Sequence, residues 1–253
     1  MTETDLETDF ETALFVYAVV SAEHELPKDL RGVDDAPLEL VPHGSIGAVV
    51  GEISAVRPPG RRADLTAYST VVDALLTGGA VAPMRFGTVV PDRETLVADL
   101  LAPGVDHLAQ QLAELEGRTE YHLRVTFVEE AVLTEIAEAD PRVRELRAAT
   151  RDLPEDASVG DRIRLGELVT QSWERWARAD ADRILDELVP MVSTHRVRRE
   201  PGLASVLDLA LLVDADRAQE VEDHLEHLAA ETSGRLRFRL AGPMAPYDFV
   251  GSG

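Results

Sequence analysis

Short apolar runs separated by turn residues predict a chain of mixed strands and helices. Residues 14–20, LFVYAVV, are β-branched and aromatic, which is typical of a buried strand. Two further apolar segments, residues 38–42 and 46–53, flank the turn signal His43-Gly44-Ser45 and predict a β-hairpin. The chain therefore opens with three strands in succession.

Helical spacing takes over after the hairpin. Asp64 is the predicted N-cap of a helix that runs to Leu76, and a second helical stretch covers residues 93–116 with an interruption near Pro103. Residues 119–128 then alternate as a strand. The two faces of that strand carry, on one side, Tyr121, Leu123, Val125 and Phe127 and, on the other, Glu120, His122, Arg124 and Thr126. This order predicts an α+β sandwich related to the ferredoxin-like arrangement.

The second half of the chain repeats the α+β pattern. Residues 129–151 and 159–192 predict two helices joined by a polar loop, which form a long helical hairpin. A strand over residues 203–213, a helix capped by Asp214 that runs to Glu231, and a strand in RLRFRLAG make a βαβ unit. Asp140-Pro141 is predicted to mark a helix boundary within residues 129–151.

These elements predict two domains. Residues 1–12 carry five carboxylates and little apolar content, so a disordered acidic tail is expected there. Residues 13–128 form the predicted N-terminal domain, a modified ferredoxin-like α/β domain, and residues 129–250 the C-terminal α+β domain with the helical hairpin.

Charge and composition narrow the classes of partner. With 25 basic and 47 acidic residues, the formal net charge of −22 should repel nucleic acid and anionic lipid. No apolar run approaches the roughly 18–20 residues that cross a bilayer. Cysteine is absent, which excludes disulfides and thiolate chemistry. A cytoplasmic location is the default expectation.

Motifs of catalysis and cofactor binding do not occur. The sequence contains no GxSxG, no P-loop and no GxGxxG, so we expect neither an enzyme nor a bound cofactor. His224 and His227 lie three apart on a predicted helix, and metal ligation is conceivable there. Their helix is so rich in carboxylates that a solvated face is the simpler interpretation, and no metal site is predicted.

Two other groups of residues have a functional and a structural interpretation. Arg235, Arg237 and Arg239 alternate along the last strand and could hold an acidic partner, but pairing with the chain's own acids is favoured. Trp173 and Trp176 lie on one face of the long helix and could anchor an interface, although such a stripe is more commonly core.

The segment PMRFGTVV, residues 83–90, is unusual because a charged side chain stands between two apolar ones. Arg85 is predicted to be buried or half-buried, and it then needs a carboxylate or carbonyl partner. A structural role for Arg85, in which its side chain fixes this segment to the rest of the fold, is favoured over a role in binding a partner. Gly87 is expected to relieve a tight approach of two backbone segments.

PMRFGTVV resembles a motif of the GvpL/GvpF gas vesicle family, and so does the closing segment AGPMAPYDFV, residues 241–250. The resemblance extends over nearly the whole chain after residue 12. It departs from the family pattern at Tyr68-Ser69, where a His-Glu pair is frequent, and at Met244, where an aromatic residue is more frequent. The F and L members share these motifs.

The resemblance implies a non-catalytic, minor structural component of gas vesicles. It implies binding to the principal shell protein GvpA and to other accessory proteins, a position toward the gas-facing side, and action early in shell assembly. Candidate contact residues are Arg85, Phe86, Gly87, Trp173, Trp176, Pro246, Tyr247 and Phe249. Two alternatives remain: an enzyme or ligand-binding protein with an enclosed polar pocket on a ferredoxin-like sheet, and a self-associating scaffold.

Overall fold

The computed structural model describes residues 12–55, 57, 59–199, 205–232 and 234–251. The chain divides into two compact units. Unit 1 comprises the residues up to Glu120 together with those from Pro243 onward, and unit 2 is Tyr121–Gly242. Each combines helices with a four- or five-stranded sheet, which confirms the α+β fold class. The predicted disordered tail lies outside the described residues, except that Thr12 begins the first strand.

The sheet of unit 1 has five strands. They are β1 (Thr12–Ser21), β2 (Leu38–His43), β3 (Ile46–Ser54), β4 (Ala82–Pro83) and β5 (Val89–Val90). Their order is β2-β3-β1-β4, with β5 also paired to β1, and every pairing is antiparallel. The predicted hairpin between β2 and β3 is confirmed.

A β-bulge at Tyr17 interrupts the pairing of β1 with β3. The register shifts between Val16 and Ala18, so that Tyr17 is the additional residue. Its side chain is fully buried, and its hydroxyl group accepts a hydrogen bond of 2.7 Å from the N–H of Val33. Gly32 leaves room for this hydroxyl, because a Cβ at that position would lie 2.1 Å from Tyr17 Oη.

Helix α1 (Arg62–Leu75) starts differently from the prediction. Arg61 is the N-cap and Asp64 is the third helical residue. The Asp64 carboxylate accepts hydrogen bonds of 2.9 Å from the N–H groups of both Gly60 and Arg61, and it pairs with Arg57 at 3.0 Å. The sequence prediction was wrong because Asp64 caps the helix from inside its first turn. A carboxylate in the first turn also interacts favourably with the helix dipole.

The second helical stretch of unit 1 is continuous. It consists of α2 (Arg93–Thr95), a π-helical turn (Leu96–Leu101) and α3 (Ala102–Leu115). The interruption predicted near Pro103 therefore takes the form of a wider turn directly before the proline, because a proline cannot donate the next helical hydrogen bond.

Unit 2 has the complete ferredoxin-like order of elements. Its strands are β6 (Arg118–Phe127), whose first residues belong to unit 1, β7 (Thr194–Val197), β8 (Ser205–Asp214) and β9 (Leu236–Met244). Three helices separate β6 from β7, namely α4 (Glu129–Ala139), α5 (Pro141–Thr150) and α6 (Glu155–Leu188), and α7 (Ala218–Glu231) separates β8 from β9. The sheet order is β7-β8-β6-β9. Unit 1 shares this order but has only a 3₁₀ turn, Val33–Asp35, between its first two strands.

One predicted helix boundary of unit 2 agrees with the structure, and another does not. Asp140 ends α4 and caps α5, since its side chain accepts a 2.9 Å hydrogen bond from the N–H of Arg142. The hydrogen bonds with Arg142 lower the pKa of Asp140 to about 2. Asp214 was assigned wrongly as the cap of α7, because a 3₁₀ turn, Ala215–Arg217, intervenes and Arg217 is the N-cap.

None of the helices in the described part of the chain is long and apolar enough to span a membrane.

Candidate functional site

A cleft of about 900 Å³ opens in unit 1 beside α1. Its lining comes from α1, from the PMRFGTVV segment and from the closing segment, so that the two sequence motifs meet there. The lining residues are Leu65, Tyr68, Ser69, Pro83, Met84, Arg85, Phe86, Thr88, Tyr247, Val250 and Gly251. We call this feature the aromatic cleft.

The main chain of Met84 is held on both sides. Its N–H donates a 2.9 Å hydrogen bond to the carbonyl oxygen of Tyr17, the bulged residue of β1. Its own carbonyl oxygen accepts a hydrogen bond from the hydroxyl group of Tyr68 on α1. The bulge and the helix together therefore fix where the motif leaves the sheet.

A tight turn follows directly after Met84. The carbonyl oxygen of Arg85 accepts hydrogen bonds from the N–H of Thr88 at 3.0 Å and from its hydroxyl group at 2.7 Å. Gly87 has a φ of +89°, the left-handed value that a type II turn needs at its third position. A Cβ on Gly87 would contact no atom within 4 Å, so the prediction of a tight approach between two backbone segments was wrong. The turn requires glycine because of its φ angle.

The prediction that Arg85 is buried or half-buried was also wrong. The side chain is exposed at the rim of the aromatic cleft. Within the described residues it has no hydrogen-bond or ion-pair partner. The segment is held through the backbone of Met84 and the Thr88 turn, so its attachment needs no charge pairing from Arg85.

Aromatic rings form the floor of the cleft. Tyr68 packs edge-on against Phe86 at 5.5 Å between ring centroids and lies 6.2 Å from Tyr247. Phe15, which is fully buried on β1, lies 5.9 Å from Phe86. Offset and edge-on contacts of this kind stabilise a cluster beyond its simple burial. Phe86 is only partly buried.

The closing segment is anchored at three points. The Glu120 carboxylate accepts a 2.8 Å hydrogen bond from the N–H of Asp248, and the Thr119 hydroxyl donates one of 3.2 Å to the carbonyl oxygen of Met244. The ring of Tyr247 packs against that of Tyr68, with 6.2 Å between the ring centroids. Pro246 and Phe249 are buried, whereas Tyr247 reaches the cleft.

Glu120 corrects another expectation. The alternation of β6 assigned it to the polar face with His122 and Arg124, yet its side chain is fully buried. The reason is the hydrogen bond to Asp248, since a buried carboxylate needs donors and the returning chain supplies one.

The titration of the cleft phenols shows which chemistry the site permits. Burial raises the pKa of Tyr68 to about 12, against the opposing effect of the neighbouring Tyr247 hydroxyl. Burial and the nearby Tyr68 hydroxyl raise the pKa of Tyr247 further above its usual range. Both phenols are therefore neutral at physiological pH. The lining also contains the guanidinium group of Arg85, the hydroxyl groups of Ser69 and Thr88, and apolar side chains. It therefore supports apolar contact and hydrogen bonding.

The predicted tryptophans lie in unit 2. Trp173 is buried and packs edge-on against Phe127 at 5.1 Å. Trp176 is partly buried, and the guanidinium carbon of Arg235 lies 5.5 Å from its ring. The structure places Trp173 in the core of unit 2 and packs Trp176 against it, although the indole N–H of Trp173 is buried without a hydrogen-bond partner among the described residues.

The other candidate groups of unit 2 separate in the structure. Arg235 pairs with Asp180 at 2.8 Å and with Glu135 at 2.9 Å, which confirms intramolecular pairing for this arginine. Arg237 and Arg239 are exposed. His224 lies 3.5 Å from Glu187 and His227 lies 3.2 Å from Glu231, so the two imidazoles face different carboxylates.

Tyr68 is the residue of the aromatic cleft that the sequence did not indicate. It differs from the family pattern at this position, yet its hydroxyl group bonds to Met84 of one motif and its ring packs against Tyr247 of the other. The available signal was its place on the apolar side of α1, three and four residues before the buried Val71 and Val72. That signal predicts burial but carries no information about the hydrogen bonds.

Sequence comparison matches residues 13–251 to the family described as gas vesicle synthesis protein GvpL/GvpF. The chain is 30% identical to gas vesicle protein F of Streptomyces sp. (strain CB03234), with 93% of this chain and 98% of that protein aligned. It is also 30% identical to gas vesicle protein L of the same strain, with coverages of 94% and 92%. Overall identity therefore does not separate the F from the L type.

Solved structures have the same fold. The crystal structure of GvpF from Anabaena sp. PCC7120 matches with a TM-score of 0.78 at 20% identity, covering 96% of this chain and 97% of that one. GvpF from Microcystis aeruginosa matches with a TM-score of 0.76, also at 20% identity, with coverages of 95% and 99%. The chain belongs to the GvpL/GvpF family of gas vesicle synthesis proteins and is an accessory protein of the gas vesicle.

Proposed function

We propose that this protein binds the main shell protein GvpA through the aromatic cleft and supports an early step of shell assembly, on the gas-facing side. The observation that carries the proposal is an open cleft with apolar walls. Leu65 on α1 is 50% exposed at its edge, and Met84, Phe86 and Tyr247 are only partly buried. Apolar surface that a folded chain leaves open in one place is typical of an interaction site.

The geometry of the cleft suits an apolar polypeptide segment. Phe86 and Tyr247 project from two backbone segments that hydrogen bonds hold in place, so a partner meets ordered aromatic anchors. Arg85 stands at the rim without a partner in the described structure and can take a carboxylate or carbonyl group of the bound segment.

The charge of the chain supports a role in keeping an apolar subunit dispersed. At −22, the protein repels other copies of itself, and a bound shell subunit acquires that repulsion. The cleft would cover apolar surface of the shell protein while the charge opposes aggregation. This combination is consistent with association with gas vesicle proteins, which family membership supports.

The lining favours binding over catalysis. The rival enzyme hypothesis requires an enclosed pocket with converging polar groups. The aromatic cleft instead presents exposed Leu65 and Arg85 at its edge, and its two phenols are neutral near pH 7. A general base of suitable pKa is not among its lining residues.

Co-purification with GvpA tests the docking surface. Tagged protein should retain GvpA, and Leu65→Asp should reduce retention at least about tenfold because it puts a charge on the apolar rim. Ile163→Asp is the matched control, since Ile163 is 58% exposed on α6 of unit 2 and does not line the cleft. Equal loss in both variants, or no retention by the folded wild type at low salt, would contradict the proposal.

The gas-facing position needs a separate experiment. A protease-sensitive tag on the protein should survive digestion of intact vesicles and be cleaved after pressure collapse. Cleavage at equal rates before and after collapse would place the protein on the outer surface and remove this part of the proposal.

A further inference from the structure

The β6–β9 edge of the unit 2 sheet carries three exposed arginines on the face opposite the core: Arg124 on β6, and Arg237 and Arg239 on β9. Within the residues that the structure describes, none of the three has a hydrogen-bond or ion-pair partner. We call them the arginine cluster. They lie in a chain with 47 acidic residues, where an intramolecular partner for an exposed arginine would be easy to provide.

The pairing of β6 with β9 brings the three side chains together. The N–H of Val128 donates a 2.8 Å hydrogen bond to the carbonyl oxygen of Arg235. An antiparallel register continued from this bond sets Arg237 opposite Thr126 and Arg239 opposite Arg124. The core side agrees with this register, because it collects the alternate residues of both strands: Leu123, Val125, Phe127, Leu236, Phe238 and Leu240.

A directly opposed pair of arginines is unfavourable by itself. Side chains that face one another across antiparallel strands have Cβ atoms about 4.5–5.5 Å apart, and like charges in that position repel. Arg235, at the start of the same segment, has two carboxylate partners. On the neighbouring strand β8, Asp208 is paired with Arg198 at 3.7 Å. Arg235 and Arg198, which flank the strands, therefore have carboxylate partners, whereas the arginine cluster has none among the described residues.

We propose that the arginine cluster binds a carboxylate-rich, extended segment of a partner polypeptide. Guanidinium groups bind carboxylates through paired, parallel hydrogen bonds, and Arg237 and Arg239 repeat along β9 at the two-residue spacing of a strand. An extended acidic segment has the same repeat on one of its faces. The interaction is independent of the aromatic cleft, which lies in unit 1.

The place of β9 in the sheet supports an extended occupant. β9 is the last strand in the order β7-β8-β6-β9, so one of its edges has no strand neighbour among the described strands. A segment that adds to this edge continues the hydrogen-bond ladder and places alternate carboxylates beside Arg237 and Arg239. Nucleic acid is the less suitable occupant, because the net charge of −22 repels a polyanion of high charge density.

Binding of a defined peptide tests the proposal. The probe is a fluorescein-labelled peptide of alternating glutamate and alanine, titrated with the full chain at low salt and followed by fluorescence anisotropy. Arg124→Gln/Arg239→Gln should weaken binding at least about tenfold, because each lost bidentate contact removes a charge-assisted interaction. Arg164→Gln/Arg178→Gln is the matched control on α6, with the same change in net charge and the same exposure class.

A second measurement separates binding from folding. Arg239→Glu alone should abolish peptide binding and at the same time raise the melting temperature, because it replaces a like-charged cross-strand pair with an opposite-charged one beside Arg124. A variant that had merely unfolded would lose peptide binding and would show no increase in melting temperature. The proposal is overturned if the control pair weakens binding as much as the cluster pair. It is also overturned if a single-stranded RNA of equal charge binds more tightly through the same arginines.

Discussion

The hydroxyl group of Tyr68 donates a hydrogen bond to the main-chain carbonyl oxygen of Met84. Through this contact, α1 holds the PMRFGTVV motif, and the ring of the same tyrosine packs against Tyr247 of the closing motif at 6.2 Å between centroids. Two segments that are more than 150 residues apart in the sequence therefore depend on one phenol. A hub of this kind predicts that small changes at Tyr68 affect both segments together.

Replacing Tyr68 with phenylalanine should lower the free energy of unfolding by about 1–2 kcal/mol, because the Met84 carbonyl loses its side-chain donor. Urea denaturation measures the loss. Ser69→Ala is the neighbouring control, since the Ser69 hydroxyl bonds only to the carbonyl oxygen of Thr66 on the exposed side of α1. If the phenylalanine variant is as stable as the wild type, the hydrogen bond contributes nothing to the fold.

Gly32→Ala should be strongly destabilising. The new Cβ would lie 2.1 Å from Tyr17 Oη and 2.8 Å from its Cζ, so the buried ring must move and its hydrogen bond to Val33 must break. Overpacking of a core position costs about 1–3 kcal/mol, to which the lost hydrogen bond adds about 1 kcal/mol. Thermal unfolding measures the effect. Gly60→Ala is the control, because a Cβ there meets nothing within 4 Å; similar melting temperatures for the two variants would refute the steric argument.

Stability should fall when the pH drops from about 7 to about 5, and His24 should account for part of this loss. Its side chain is 7% exposed, its Nε2 has no hydrogen-bond partner among the described residues, and burial lowers its pKa. Because the unfolded chain takes up the proton more readily, the stability that neutral His24 contributes is present above pH 6.5 and decreases below it.

The variant His24→Leu should therefore show a flatter dependence of the free energy of unfolding on pH in this range. Urea denaturation at several pH values measures it, and comparison at pH about 8 removes any difference in packing. The carboxyl pKa values that the fold lowers, those of Asp64, Asp92 and Asp140, affect stability only in more acidic solution. Parallel curves for the two proteins between pH 5 and 7 would exclude His24 as the cause.

Arg235→Met should cost about 2–3 kcal/mol, since it leaves the buried Asp180 carboxylate without its cation. The methionine keeps much of the apolar contact with Trp176 and Phe127, so the loss reports on charge. Adding Asp180→Asn should restore part of the stability. A double-mutant cycle from urea unfolding measures the coupling, and additive effects of the two changes would show that the pair is not coupled.

Long segments with a clear repeat were predictable from the sequence. The strand around residues 14–20 and the alternation of Tyr121 to Phe127 follow directly from which side chains the sheet buries. The long helix was also predicted, although α6 begins at Glu155 instead of residue 159. The predicted division at residue 128 stays a prediction.

Edge strand β7 could not be predicted in the same way. Thr194–Val197 is four residues long and mostly exposed, and it has no apolar repeat. It is a strand because its backbone pairs with β8, from Thr194 opposite Leu212 to Val197 opposite Leu209. The hydrogen-bond ladder of a neighbour, which the local sequence does not encode, determines such an element.

The candidate site shows the same division. The two motifs locate the aromatic cleft, but their internal attachments are to main-chain atoms: Met84 O, Arg85 O and the N–H of Asp248. Because every residue type has a main-chain carbonyl group, the sequence does not indicate which residue accepts such a hydrogen bond. The exposure of Arg85 and the burial of Glu120 were missed for this reason.

The return of the chain to unit 1 from Pro243 onward sets an order of events during translation. Tyr121–Gly242 is contiguous, so unit 2 has all its residues before the closing segment leaves the ribosome. Until then, Glu120 lacks the N–H of Asp248, and Tyr68 lacks its partner Tyr247. The unit that begins first on the ribosome is thus the second to be completed, and its aromatic cluster stays open to solvent and to chaperones in the meantime.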